Sequence, residues 1–550
     1  MNFQFVRSVK HSLHRRMHRL ACNSLLYGWS SFSGATPQGL LFSPRDLWPG
    51  SADQGRWLVH SGVFALGGDT LELHNADWHP GEASESWIEH LHSFDWLRDL
   101  KALGGDQGRL AARAMVKSWI EHHHGWHELY WRSDILGRRV ANWAAGFDFF
   151  GESADEDFQE MFFCCLSRQV HHLARALPGA VTGLPLLHAI KGLAYGGLIF
   201  EGREADLERA LNLLDRELDR QILSDGGHIS RNPQSLLEAI KILIDIRGAL
   251  QQGGYPPLEK VQFALDRAVP ALRFFRHGDR RFALFNGTQE GDEDTLKLVL
   301  MHAGSRAKVL NSLPETGFER AVLGKGFLIM DCGKPPSYPH DRGVHAAPLS
   351  FEFSYGRERI FVNCGSHPTN EAWKDALRAA PAHNALVIDD RNICEVHADG
   401  SLVRKPRKVL VTREDKPDRV LMDACHDGYV PLNGITHRRR LLFSDQGHDL
   451  RGEENLSCSV GLGRVHKIAV RFHLHPRVSV SLVQGGTEAL LQLKSGTGWR
   501  FVAEGAVLSV ENSIYLGQGV RPAKTKQLVL TATMQSDLAK IKWGLKCEGA

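Results

Sequence analysis

The chain has no run of about 18 apolar residues, the length a helix needs to cross a bilayer, so no transmembrane segment is expected. It also has almost no excess charge: 66 Lys and Arg stand against 63 Asp and Glu, leaving +3 over 550 residues. Nucleic-acid binding needs a basic footprint to replace the counterions on phosphate, so no nucleic-acid partner is expected. The nine cysteines are odd in number and scattered, with only Cys164 and Cys165 adjacent and no CxxC pair. That pattern argues against a disulfide framework and against structural zinc, and most of the cysteines read as buried thiols. A legible export signal is missing too. Arg7, Lys10, His11, His14, Arg15, Arg16 and Arg19 interrupt the stretch from Met1 to Leu26, and Leu20-Ala21-Cys22 is only a fragment of a lipoprotein cleavage site. The segment reads instead as a basic leading helix, solvated or resting on a membrane surface.

A chain of 550 residues exceeds what one hydrophobic core organises, which predicts two domains. Histidine (29) and tryptophan (13) are plentiful. Indole faces stack on sugar rings and imidazoles titrate near neutral pH, although a large helical core also uses tryptophan. From about Trp87 to Arg276 apolar residues recur at helical spacing, as in Phe158, Phe162, Leu166, Val170, Leu173 and Leu177. Leu207, Leu211, Leu214 and Leu218 repeat the pattern, with breaks at Pro178-Gly179 and Gly253-Gly254. Successive helices with short links predict a helical array or an incomplete α/α toroid. After about Arg280 the period changes to two. Leu349, Phe351 and Phe353, a turn at Gly356, then Ile360 and Val362 predict a hairpin. Lys408–Thr412, Arg419–Ala424, Ala469–His473 and Leu528–Thr533 read as further strands, so the second half is expected to be an antiparallel sandwich.

Several segments carry candidate chemistry. Asp225-Gly226-Gly227-His228 joins two amphipathic helices, and the glycines permit a tight turn that pushes His228 out of the helical layer. Arg231 and Asn232 follow closely. A loop histidine beside a cation and an amide can bind and polarise a carboxylate, whereas the plainer reading is a connecting turn with Asn232 as helix N-cap. Arg138-Arg139-Val140-Ala141-Asn142-Trp143 offers Asn142 and Trp143 as a sugar subsite, or Trp143 as core. His345 and His383 each precede a strand, where a histidine also serves as an ordinary hydrogen-bonding residue. In Phe472-His473-Leu474-His475-Pro476 both histidines face one side, and His122-His123-His124 reads as a solvated helix end.

Taken in order, these segments resemble the heparinase II/III family of polysaccharide lyases. Trp87 to Leu97 resembles its "LH-x-FD-aromatic-L" segment and Asp225 to Pro233 its "DGGH…SP" loop. His345 to Glu352 resembles "HADxLSFE", Phe361 to Gly365 "IVDPG", and Arg378 to Asn384 "RSTAAHN". His437 to Arg440 and Phe472 to Pro476 are similar to parts of the sandwich. The resemblance implies an α+β multidomain fold, with an N-terminal incomplete α/α toroid followed by a C-terminal antiparallel β-sandwich. The expected division is a leading helix and linker over 1–50, the toroid over 51–300 and the sandwich over 315–540. It also implies an active cleft between the two, acting on an anionic, uronic-acid-containing polysaccharide by β-elimination. In that reaction the C5 proton becomes acidic once the neighbouring carboxylate is neutralised, a base removes it, and an acid assists departure of the 4-O oxygen. Electrostatic stabilisation of the enolate-like intermediate contributes most to the acceleration, with acid–base help worth ~10²–10⁴-fold. The match puts His228 at the toroid-loop position and His345 and His383 at sandwich positions that face the cleft or bind metal, so catalysis is expected of these three; substrate binding is expected of Arg231, Asn232 and Arg378, and, on the local reading alone, of Asn142 and Trp143.

The sequence departs from the family pattern in places. The family's histidine two residues before His345 is Gly343 here, the aspartate of "HAD" is Ala347, and that of "VDPG" is Asn363. A zinc site of histidine, aspartate and histidine keeps only His345 and His383, so no tightly bound metal and no cofactor is expected. The family's catalytic tyrosine falls near Arg281–Gly291, which holds Phe282 and Phe285, and no tyrosine lies between Tyr255 and Tyr338. Two readings follow: a β-eliminating lyase centred on His228, or a glycan-binding, cell-envelope protein of the same fold that has lost the chemistry. A toroidal glycoside hydrolase using Asp225 and Glu238 ranks last, because it needs opposed carboxylates. The family implies a periplasmic or envelope location, which conflicts with the absence of a legible signal. The sequence leaves the glycan and the oligomeric state open.

Overall fold

The computed structural model of the protein describes residues 37–73, 77–397 and 399–549. The basic segment before residue 37, with its expected leading helix, lies outside the described residues. The chain divides into two compact units. The first holds the described residues up to Gln221 together with Glu238–Phe263, and the second holds Ile222–Leu237 together with the described residues from Ala264 onward. No described helix is long and apolar enough to cross a membrane.

The first unit is built from successive helices, among them Ser133–Phe150, Glu156–Ala176, Leu184–Ile199 and Glu204–Gln221. Glu156–Ala176 shows why the sequence folds this way. Asp155 caps it by accepting the Phe158 N–H at 2.9 Å, and acidic Glu156 and Asp157 complement the positive end of the helix. Its predicted stripe, Phe158, Phe162, Leu166, Val170 and Leu173, is buried, each such side chain contributing about 1.5–3 kcal/mol by leaving water. Phe162 stacks on Phe147 of Ser133–Phe150 with ring centres 5.2 Å apart. Leu184–Ile199 is apolar nearly all round and buries most of its circumference, the pattern of a central helix.

The second unit carries three larger antiparallel sheets. The eight-stranded sheet has the spatial order Val409–Lys416, Arg419–Tyr429, Ile435–Ser444, Asp449–Cys458, Leu538–Cys547, Gly498–Glu504, Glu488–Gln492 and Ser479–Val483. A four-stranded sheet runs Val507–Tyr515, Ala523–Met534, His466–His473 and Leu386–Ile388. A five-stranded sheet runs from Ser312–Leu313 to Glu358–Phe361 and contains the predicted hairpin as Phe351–Tyr355 and Glu358–Phe361. Side chains of all three share one core. Trp543 lies 5.6 Å from Phe351 and 4.8 Å from Phe472, and Phe353 lies 5.6 Å from Trp499. A helical region followed by antiparallel sheets is the α+β architecture expected from the change of period.

Alternation assigns the faces of the large sheet. In Ile435–Ser444 the residues Ile435, His437, Arg439, Leu441 and Phe443 point inward, and Arg438, Arg440 and Leu442 point outward. The two inward polar residues are answered by buried Glu454, whose oxygens lie 2.6 Å from His437 Nε2 and 2.8 Å from Arg439 Nε. The Trp543 indole N–H adds a third donor at 3.1 Å. Arg439 and its partners hold Glu454 down to about 2 against the burial that opposes ionisation.

Candidate functional site

The Asp225–Asn232 loop is held in the second unit by close backbone approach. A Cβ on Gly226 would stand 1.9 Å from the Arg267 carbonyl oxygen, and one on Gly227 would stand 1.8 Å from Thr316 Oγ1. Gly226 also has φ +85°, so both positions require glycine. Asp225 fixes the turn from the other side. Its carboxylate accepts the Gly227 N–H at 3.0 Å, the Thr316 N–H at 2.7 Å and the Thr316 hydroxyl at 2.7 Å.

His228 is buried, with Nδ1 2.7 Å from Ser230 Oγ and 3.2 Å from the Ser230 N. Burial, reinforced by nearby His340, lowers its pKa to about 3, so the ring is neutral at physiological pH. Arg231, in the left-handed region at φ +59°, turns inward. Its guanidinium donates to the Thr316 carbonyl at 2.6 Å and the Gly317 carbonyl at 3.1 Å, pairs with buried Asp331 at 2.5 Å, and lies 4.7 Å from the Phe318 ring centre. Burial raises the Asp331 carboxyl while Arg231 opposes it.

Asn232 caps the helix Pro233–Gln252, as its position predicts, by accepting the Gln234 N–H at 2.7 Å and the Ser235 N–H at 3.1 Å. Its oxygen also takes the Thr288 hydroxyl at 2.9 Å, and its amide donates to the Asn286 carbonyl at 2.6 Å. Asn286 is the hub that motif reading missed. Its side-chain amide donates to the Arg231 carbonyl at 2.8 Å and its oxygen accepts the His345 N–H at 3.1 Å. The available signal was Asn286-Gly287 itself, a dipeptide suited to positive φ, which both residues adopt (+53° and +85°).

His345 sits against this turn, with Nε2 2.8 Å from the Gly287 N and Nδ1 3.1 Å from the Asn286 N. A neutral imidazole has one acceptor nitrogen, so it takes one of these amides, and the Gly287 contact is the shorter. The His383 ring is 4.2 Å from that of His345, and its Nε2 is 3.0 Å from the Leu377 carbonyl. Burial lowers His383 to about 3 and His345 well below its ordinary value. Arg378 is buried and donates to the carbonyls of Val344 (3.0 Å) and Asp341 (3.3 Å). Asn363 bridges the Leu284 carbonyl and the Asn384 N–H. Among the described residues no group of three or more His, Cys, Asp and Glu is arranged to hold a metal ion.

The structure therefore gathers His228, Arg231, Asn232, His345, His383 and Arg378 within the second unit and ties Arg231, Asn232 and His345 together through Asn286. Asn142 and Trp143 belong to the first unit. Asn142 donates to the Ser93 carbonyl at 2.9 Å and to Asp95 at 2.8 Å. Trp143 is fully buried, 5.1 Å from Phe94 and 5.4 Å from Trp119, so its faces pack core aromatics. The adjacent Arg139 is buried as well, donating to Gln169, His92 and Tyr130 over the Trp119 ring, and burial lowers it to about 9.

The model of the heparinase II/III-like C-terminal domain matches residues 305–544. FtsZ-localized protein C of Caulobacter vibrioides (strain NA1000 / CB15N) is 31% identical over 537 residues, covering 93% of this chain and 91% of that protein. The chain belongs to the heparinase II/III-like family. Solved structures agree on the fold. Heparinase III superposes with a TM-score of 0.76 at 14% identity, over 99% of this chain and 92% of its own. Heparan sulfate lyase HepC from Pedobacter heparinus gives a TM-score of 0.63 at 14% identity, over 95% and 87%. At such identity these likenesses speak for the polysaccharide-lyase fold alone, a toroid followed by a β-sandwich.

Proposed function

We propose that this protein keeps the lyase fold as a binding platform and does not carry out β-elimination. The observation behind this reading is the engagement of Arg231. The cation nearest His228 in sequence, suited to neutralising a uronate, is committed to Asp331 and two carbonyls. Without that neutralisation the C5 proton stays poorly acidic. Phe282 and Phe285, fully buried, occupy the stretch where the resemblance places a tyrosine, so that stretch itself supplies no phenol to protonate the leaving group. Asn232, His345 and Arg378 are likewise engaged with backbone groups.

The ligand of the platform is an anionic polysaccharide, and the setting is the cell envelope where FtsZ is found. Support for the setting comes from the 31% identity to a protein named for its localization with FtsZ. A fluorescent fusion of this chain is expected to coincide with labelled FtsZ. A uniform distribution through the cell contradicts the setting. Calorimetric titration with heparan sulfate is expected to give saturable binding while the polymer's length distribution stays unchanged. Shortening of the polymer contradicts the platform reading.

One observation favours the second reading, a lyase. Burial keeps the His228 ring neutral, the form a general base starts from, although a pKa of about 3 makes it a weak one. In that case the carboxylate is neutralised by a group other than Arg231, and turnover disappears in His228→Ala.

A further inference from the structure

The outward face of the eight-stranded sheet bears a feature that the loop does not explain. Two adjoining depressions of about 410 Å³ each share Arg451, Lys542 and Trp543. Their floor follows a single row of directly paired residues across five strands: Leu421 opposite Leu442, Leu442 opposite Arg451, Arg451 opposite Gly544, and Gly544 opposite Val502. At the ordinary strand spacing this row is roughly 19 Å long. Gly544 keeps the floor low between Arg451 and Val502, since a Cβ there would meet nothing nearer than Val502 at 3.6 Å.

The walls are charged. Seven lysines and arginines and four carboxylates line the two depressions. Arg440, Arg451 and Lys542 have side chains 42%, 64% and 51% exposed, and their partners Asp423, Asp449 and Glu504 lie beside them on the same sheet. Of these three pairs only Lys542–Glu504 is exposed on both sides, and such a pair is weak and exchanges readily for another anion. Among the described residues no carboxylate lies within ion-pair distance of Arg419 or Lys546, which line opposite depressions.

We infer that this row is a docking groove for an acidic peptide segment carrying aliphatic side chains. Leu421, Leu442 and Val502 take the aliphatic groups, and Arg419 and Lys546 take the carboxylates, the arginine in bidentate fashion, with Arg451 and Lys542 adding positive charge between them. A glycan fits less well. Sugar rings seek an open aromatic face, and the one aromatic residue here, Trp543, is only 3% exposed and seals the groove from below. A uniformly charged phosphate or sulfate backbone also meets Glu453 and Glu504 in the wall, whereas a peptide can place its charges away from them. The inference does not depend on how the Asp225–Asn232 loop is read.

The test uses the full-length protein and a fluorescein-labelled peptide of repeating Glu and Leu, followed by fluorescence anisotropy. Saturable binding is expected, weaker by about tenfold or more in R451E/K542E, and weaker again when serine replaces leucine in the peptide. Circular dichroism checks that the variant is folded. R419E/K546E, placed at different positions on the rim, supplies an independent loss if the first variant is not. The proposal is overturned if the peptide does not bind or if both charge reversals leave its affinity unchanged. It is also overturned if a heparin oligosaccharide or single-stranded oligothymidylate displaces the peptide at lower concentration than the unlabelled peptide does.

Discussion

The Asp225–Asn232 loop and the outward row from Leu421 to Val502 both carry arginines, yet those arginines do opposite things. Arg231 is 5% exposed and spans 85 to 100 residues of sequence to reach Thr316, Gly317 and Asp331. Arg451 is 64% exposed and pairs with Asp449, two residues away on its own strand. A buried guanidinium with every near partner supplied by the fold is a structural brace, and removing it leaves a buried charge uncompensated. An exposed one keeps part of its guanidinium in water, where it can meet a second anion without leaving its partner. The residue type that suggests anion recognition thus acquires that capacity only from its surroundings.

The sharpest way to break this contrast is to truncate the braced arginine. Arg231→Ala is expected to cost about 3–5 kcal/mol by stranding Asp331, read as a lowered urea midpoint. A loss below about 1 kcal/mol would mean the guanidinium is not a brace. Acid gives the next effect. His228 and His383 have folded pKa values of about 3 against 6.5 for an unperturbed ring. Between those values the unfolded chain binds protons that the folded chain refuses, so stability is complete above 6.5 and falls as pH drops toward 3. Each ring steepens the fall by about 1.4 kcal/mol per pH unit. Replacing either by Gln is expected to flatten the dependence measured by urea titration across that range. Asn232→Ala removes both a helix cap and the link to Asn286, for about 1–2 kcal/mol in the same assay. Lys542→Gln sits at the far end of the scale, because Lys542 and its partner Glu504 are both exposed. Its thermal unfolding is expected to stay within about 0.5 kcal/mol of the parent, while peptide affinity falls.

The architecture was readable because burial leaves a periodic trace. Phe158, Phe162, Leu166 and Val170 keep helical spacing because one face must leave water, and Phe351 and Phe353 alternate because one face of their strand packs on Trp543 and Trp499. Strand ends were less legible. The segment read as Lys408–Thr412 extends through Val409–Lys416, because its outer half is polar and held by backbone pairing with Arg419–Tyr429. In the loop, the turn at Gly226-Gly227 and the cap at Asn232 could be read locally, since both depend on residues within a few positions. The commitment of Arg231 could not, because Thr316, Gly317 and Asp331 lie far along the chain. Trp143 illustrates the same gap: an indole in core and an indole under a sugar ring have the same local sequence. The row Leu421, Leu442, Arg451, Gly544 and Val502 is invisible until strand register aligns five separate segments.

On the proposed reading the loop's polar groups hold the fold and do not perform elimination. Ultraviolet absorbance during incubation with a panel of uronic-acid polysaccharides tests it most directly, because removal of the C5 proton leaves a conjugated 4,5-double bond. A flat trace from the folded protein, across every polymer it binds, is the predicted result. A steady rise that vanishes in His228→Ala would overturn the platform reading and make His228 the base of a working lyase.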